Sequence, residues 1–263
     1  MPIFETMQNS SLVATIIASS LIAAAGGFLG AFALLRRMAL VGDALSHVAL
    51  PGIALGLLFH FNPFLGALAF LLFGTTIIWV VEHKTRLAVD TLVGVMFVMM
   101  LAFGALLTPE EEILEALFGN IAELSLQGAL IASALALLMI GAIFILSKKL
   151  TLSMISRELA LSSRLRPALL EFAYLTLFAL MVAVGIQFTG ILLMGALIIV
   201  PAAIARNLTA SMRSYMTASA LIGIAGALVS IFIALRYSLA PGPVFALILS
   251  GLFFISVALK RQP

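Results

Sequence analysis

The chain has 263 residues, 63% of them hydrophobic and 10% charged, with a formal net charge of +3. A soluble domain carries roughly 25% charged residues, so this composition excludes one and defines an integral membrane protein. No cysteine occurs, which excludes disulfides and thiolate metal sites.

A membrane span needs about 20 mostly apolar residues. No charged residue occurs between Glu5 and Arg36, which places the first span within 11–35. Only Glu5 precedes it, so a retained span is expected rather than a cleaved signal peptide. The uncharged stretch from Ala44 to Val81 is too long for one helix, and the turn-forming His60-Phe61-Asn62-Pro63 divides it into spans at 39–59 and 63–81. Residues 91–109 and 124–147 supply two more. The uncharged run from Phe172 to Ala205 fits a tight hairpin turning near Gly185-Ile186-Gln187-Phe188, with Gln187 in the outer turn. Spans at 214–235 and 243–259 follow, the last opened by Pro241-Gly242-Pro243. The expected fold is all-α, a single transmembrane domain over 1–263 with about nine spans, eight being the alternative count.

Lys and Arg set the orientation. Alternating the loops puts Arg36/Arg37, Lys84/Arg86, Lys148/Lys149, Arg157/Arg164/Arg166, Arg206/Arg213 and Lys260/Arg261 on one side and leaves Arg236 on the other. The basic side is the cytoplasm, so the N-terminus is expected outside and the C-terminus inside. Glu5, Glu110, Glu111, Glu112, Glu115 and Glu123 then gather outside, as a cation-attracting vestibule or simply as solvated loop charge. The segment 108–127 opens TPEEEILEALFGNIAELS, with Ile113, Leu114, Leu117, Phe118, Ile121 and Leu124 at helical spacing. It reads as a short outer amphipathic helix, either covering a pathway mouth or lying at the lipid interface.

The chemistry concentrates in VGDALSHVALPG, residues 41–52. An Asp at the centre of a span costs about 2.5–3.5 kcal/mol on the insertion scale. Asp43 is expected close to the cytoplasmic end, with His47 a turn deeper. Positions i and i+4 share one helix face, and a carboxylate with an imidazole suits Zn²⁺, and less selectively Mn²⁺ or Fe²⁺. Pro51 has no N–H, so the carbonyl of His47 loses its helical partner, and transporters place sites at such breaks. The alternative is a hydrogen-bonded Asp–His pair that only fixes helix packing. Two ligands do not complete a tetrahedral site, but a symmetric dimer with this helix at its axis would supply four. His60 lies more than three turns away; it is a candidate ligand at the pathway mouth or a plain interfacial histidine. His83 sits among charged neighbours and is assigned no function. Asp90 reads as the cap of the fourth span, and Pro201 as a kink in the seventh.

GDALSHVALPGIALGLL resembles the signature segment of permease subunits from zinc/manganese-type ABC importers. AVDTLVGVMF at 88–97, EALFGN at 115–120, TLSMISRELA at 151–160, GILLMGALIIVPAAIAR at 190–206 and APGPV at 240–244 match in order. The likeness runs from about residue 20 to the C-terminus, and its details look closest to the bacterial zinc-uptake branch. The resemblance implies a homodimeric permease in the bacterial inner membrane, with lipid around it. It implies two copies of a separate cytoplasmic ATPase, which would bind the ATP, and an external metal-binding protein. It further implies the type II architecture of the vitamin B12-type importers, a metal-pathway role for Asp43 and His47, and a cytoplasmic coupling segment at 150–166. Within that segment Ser156 can cap a helix starting at Arg157 and Glu158, with Leu159 and Ala160 in the ATPase contact. The family's glycine four residues after ELA is Arg164 here, which leaves the end of that helix open.

No G-x-x-x-x-G-K-[ST] sequence occurs, so this chain has no P-loop and is not read as an enzyme. No bound cofactor is expected; the metal ion is cargo. Nucleic acid is not expected among the partners. A proton-coupled secondary carrier using Asp43 and His47 is the competing transport reading, and a membrane hydrolase would lack a nucleophile and a third zinc ligand.

Overall fold

The computed structural model describes residues 10–85, 87–107, 125–191 and 193–259, and within them the chain is helical with no strand. In chain order the helices are α1 (Ser10–Leu35), α2 (Val41–Val48), α3 (Leu50–Leu58), α4 (Pro63–Thr85), α5 (Val89–Leu107), α6 (Leu126–Ile155), α7 (Arg157–Ser162), α8 (Pro167–Thr189), α9 (Met194–Leu208), α10 (Met212–Tyr237) and α11 (Pro241–Leu259). The amphipathic segment 108–127 lies outside the described residues except for its last three positions. So do Glu5, Arg86, Lys260 and Arg261.

Among the described residues eight segments are long and apolar enough to cross a membrane, α2 and α3 together making one of them. The ninth apolar helix, α9, has 15 residues and reaches about 22 Å, short of a hydrocarbon core of about 30 Å. The expected hairpin turn near Gly185–Phe188 is displaced. α8 begins at Pro167 and runs unbroken to Thr189, so Gln187 is helical. The chain turns instead at Gly190, whose φ of 74° is the left-handed region open to glycine.

Four helix ends take a left-handed turn on residues that have a Cβ: Arg37, His60, Arg164 and Ser238. In each, the next N–H returns to a carbonyl five residues back. The bonds are Met38 to Ala33 (2.9 Å), Phe61 to Gly56 (2.9 Å), Leu165 to Ala160 (3.0 Å) and Leu239 to Ala234 (3.0 Å). This closure satisfies terminal carbonyls that lipid cannot.

α1 forms the centre. Ser219 of α10 donates its hydroxyl to the Gly27 carbonyl at 2.7 Å, and the backbone of Ala23 lies against Gly223. Those two contacts run in opposite chain directions, so α1 and α10 are antiparallel. Large apolar residues of α5, α6 and α11, among them Val98, Phe144, Leu247 and Phe254, are exposed on the single chain.

The loops sort to two ends of the bundle. At one end Arg36, Arg37, Glu82, Asp90, Arg157 and Glu171 line a cavity of about 600 Å³, and Arg36 Nη1 pairs with Glu171 Oε1 at 3.3 Å. At the other, Asn62, Gly128 and Gln187 line a smaller one of about 130 Å³. Asp90 is not the cap of α5. It stands inside the first turn, where Ala88 supplies the first carbonyl to Leu92 at 3.3 Å. α7 starts at Arg157 because the Ser156 hydroxyl oxygen accepts the Leu159 N–H at 3.2 Å, and Leu159 and Leu161 are exposed.

Candidate functional site

The span Val41–Leu58 is the most buried in the bundle, at 67% of its residues. It is interrupted at Ala49, two residues before Pro51. The Ala49 N–H turns back to the Ser46 carbonyl at 3.2 Å, and the ladder resumes with Ile53 N–H to the Ala49 carbonyl at 2.9 Å. The proline thus removes one donor and the chain absorbs the loss within one turn.

Asp43 lies in the first turn of α2 and His47 in its last. They share a helix face. Asp43 is partly accessible, whereas His47 is 8% exposed. The His47 ring meets Phe97 of α5 edge-on, with centroids 4.9 Å apart and planes at 79°.

Phe97 stands near the middle of α5, so His47 is at mid-membrane. Asp43 is deeper than its nearness to Arg37 in sequence suggests. Gly42, its neighbour, packs on Phe178, seven residues or about 10 Å along α8 from Glu171. At that depth the cost of an acid is not relieved by snorkelling to the surface. The Nδ1 atom of His47 is buried with no hydrogen-bond partner among the described residues. A buried polar atom left unpaired costs about 1–3 kcal/mol, so this nitrogen is poised for a ligand.

Two further residues complete the setting. Gly195, at the start of α9, lies so near Asp43 that a Cβ there would sit 3.0 Å from the Asp43 Cβ; only glycine lets α9 come this close. Ser46 lies between the donors, its hydroxyl 2.7 Å from the Ile191 carbonyl and 2.6 Å from that of Asp43. Its single proton serves either. Neither residue was singled out from the sequence. The signal was a lone serine in an apolar helix and a glycine following a methionine, both common in membrane spans.

Among the described residues no three or more His, Asp or Glu side chains converge on one point; the site is Asp43 with His47 from one chain. His60 is not part of it. It sits 13 residues, or about 20 Å, beyond His47 and closes α3 in the left-handed conformation with φ 55°. His83 Nδ1 is engaged by the Trp79 carbonyl at 2.8 Å. Pro201 lies inside α9, which stays helical across it. The Leu197 carbonyl, deprived of its partner at 201, faces Gly26 of α1.

A polytopic helical membrane protein with a carboxylate–imidazole pair at mid-membrane, on its most buried span, belongs to the class that moves polar solutes through lipid. The comparison with known proteins is specific. The chain matches the ABC 3 transport family over residues 5–260 and belongs to it. It is 28% identical over 254 residues, 95% of its length and 91% of the relative's, to the manganese transport system membrane protein MntC of Listeria monocytogenes. It is 30% identical over 272 residues, 98% and 90% of the two chains, to the zinc transport system membrane protein TroC of Treponema pallidum. Its fold superposes on PsaBC from Streptococcus pneumoniae, solved in complex with a Fab, at a TM-score of 0.84. That match has 27% sequence identity and covers 96% of this chain and 93% of the other. The chain is therefore a membrane permease of the metal ABC-importer family.

Proposed function

We propose that the protein is the permease subunit of an ATP-driven importer of divalent transition-metal ions, with zinc as the cargo. The observation that carries the reading is the His47 Nδ1, buried at mid-membrane with no hydrogen-bond partner among the described residues and one turn from Asp43. Carboxylate oxygen and neutral imidazole nitrogen are both zinc donors, and two from each of two subunits would make four. The working unit is a homodimer of type II architecture in the bacterial inner membrane, with Asp43 and His47 near the twofold axis. The Lys/Arg-rich end faces the cytoplasm, placing the N-terminus outside and the C-terminus inside. There α7 meets a separate ATPase subunit, and an external binding protein delivers the ion to the opposite end, near His60. Manganese is the second reading, favoured by the likeness to MntC; Asp with His also accommodates that ion and Fe²⁺.

Metal uptake into vesicles containing the permease and its ATPase tests both levels. ATP-dependent uptake in which zinc outcompetes manganese and iron supports the proposal. Preference for manganese moves the cargo to the second reading. Uptake driven by a proton gradient without ATP removes the importer reading altogether.

A further inference from the structure

The wall of the cavity of about 600 Å³ at the arginine-lined end holds three guanidiniums, of Arg36, Arg37 and Arg157, and three carboxylates, of Glu82, Asp90 and Glu171. Arg36 is already engaged: it pairs with Glu171, and its guanidinium lies over the Tyr174 ring at 5.1 Å. Glu82, in the last turns of α4, has its Oε2 buried with no hydrogen-bond partner among the described residues. Arg157, the first residue of α7, lines the same cavity, and its attraction for Glu82 ranks below those of His83 and Arg36. It is exposed and, among the described residues, makes no ion pair within 4.0 Å; the Arg36–Glu171 pair is the one present.

The far part of α4 is fastened to the helix that carries Asp43 and His47. Gly66 meets Gly52 backbone to backbone, a Cβ on Gly56 would lie 2.6 Å from the Pro63 Cα, and one on Gly74 would lie 2.8 Å from the Val48 side chain. Contacts this close leave no slack, so α4 and α2–α3 move together. One end of a stiff helix is thus pinned to the site, while the other presents, across a cavity from Arg157, a carboxylate oxygen that has no hydrogen-bond partner among the described residues.

We infer that Glu82 receives Arg157 when the ATPase drives α7 toward the bundle, and that α4 carries that movement to Asp43 and His47. Glu82 is a positioning residue: it touches no metal and acts through α4. The inference rests on α7 being the ATPase contact proposed above.

The chain has no cysteine, so a Glu82→Cys/Arg157→Cys pair in the permease–ATPase complex reports directly on the approach. The disulfide is expected to form about tenfold faster in one nucleotide state than in the nucleotide-free complex, a ratio within the usual range of coupling free energies. Separately, Glu82→Gln is expected to lower the metal carried per ATP hydrolysed by about tenfold while the complex still assembles. A disulfide yield independent of nucleotide overturns the inference. So does a Glu82→Gln permease that carries the parental amount of metal per ATP. If Glu82→Gln fails to insert, the cysteine pair decides alone. Failure of the underlying reading shows elsewhere, as normal uptake after Glu158 and Leu159 are both replaced.

Discussion

The Ser46 hydroxyl oxygen lies 2.7 Å from the carbonyl oxygen of Ile191, which fixes the α8–α9 turn to the helix carrying Asp43 and His47. Ser46 is fully buried, so no water substitutes for it. The turn it holds leads directly into Gly195 and its contact with Asp43. The placement of the acid therefore depends on a neutral residue three positions away.

Ser46→Ala removes the only proton available to that carbonyl from the site. It should destabilise the permease by about 1 kcal/mol, read as a lower melting temperature in detergent. Uptake should drop with no change in the order of metal preference. A changed preference would mean that Ser46 itself contacts the ion.

Arg164 closes α7 at φ 56°, and a left-handed non-glycine residue costs about 1–2 kcal/mol. Arg164→Gly should therefore raise the melting temperature and leave transport intact, since the closing bond from Leu165 N–H to the Ala160 carbonyl is backbone only. A fall in stability would show that the guanidinium has a partner worth more than the relieved strain.

The cysteine-free chain also allows topology to be read from single introduced thiols. Glu112→Cys should be labelled by an impermeant reagent from outside, and Lys149→Cys only after permeabilisation. The reverse pattern would turn the molecule over and carry α7 away from the cytoplasm.

Replacing Glu158 and Leu159 together by alanine should leave the permease inserted and folded, because both are exposed. ATP hydrolysis and uptake should then separate: hydrolysis continues while transport falls. Normal transport by the double variant would shift the ATPase contact to another cytoplasmic segment.

Much of this arrangement was legible because lipid enforces simple rules. Charge-free runs bounded by Arg36, Glu82 or Arg206 mark spans, and the Asp43–His47 spacing puts both donors on one face. The Ser156 cap was equally readable, since a serine before Arg-Glu is a local signal. The α8–α9 turn was not, because Gly185 and Gly190 are equally plausible breaks in a uniformly apolar run. Depth is equally hidden: nearness to Arg37 in sequence suggests a shallow Asp43, whereas its neighbour Gly42 packs on Phe178 in the middle of α8. Gly195, Phe97 and Glu82 join their sites through tertiary packing alone, and no periodicity announces that.

The central claim is that Asp43 and His47 coordinate the passing ion. The most direct measurement is metal uptake by Asp43→Asn and His47→Gln permeases expressed and assembled with the ATPase at parental levels. Both changes keep hydrogen-bonding shape and lower the cost of a polar group in the membrane, so insertion should be unharmed. Coordination predicts a steep loss of uptake in each, far larger than for Asp90→Asn, whose side chain stands in the first turn of α5, away from His47. Uptake at the parental rate in both variants would contradict the claim and reduce the pair to a packing contact.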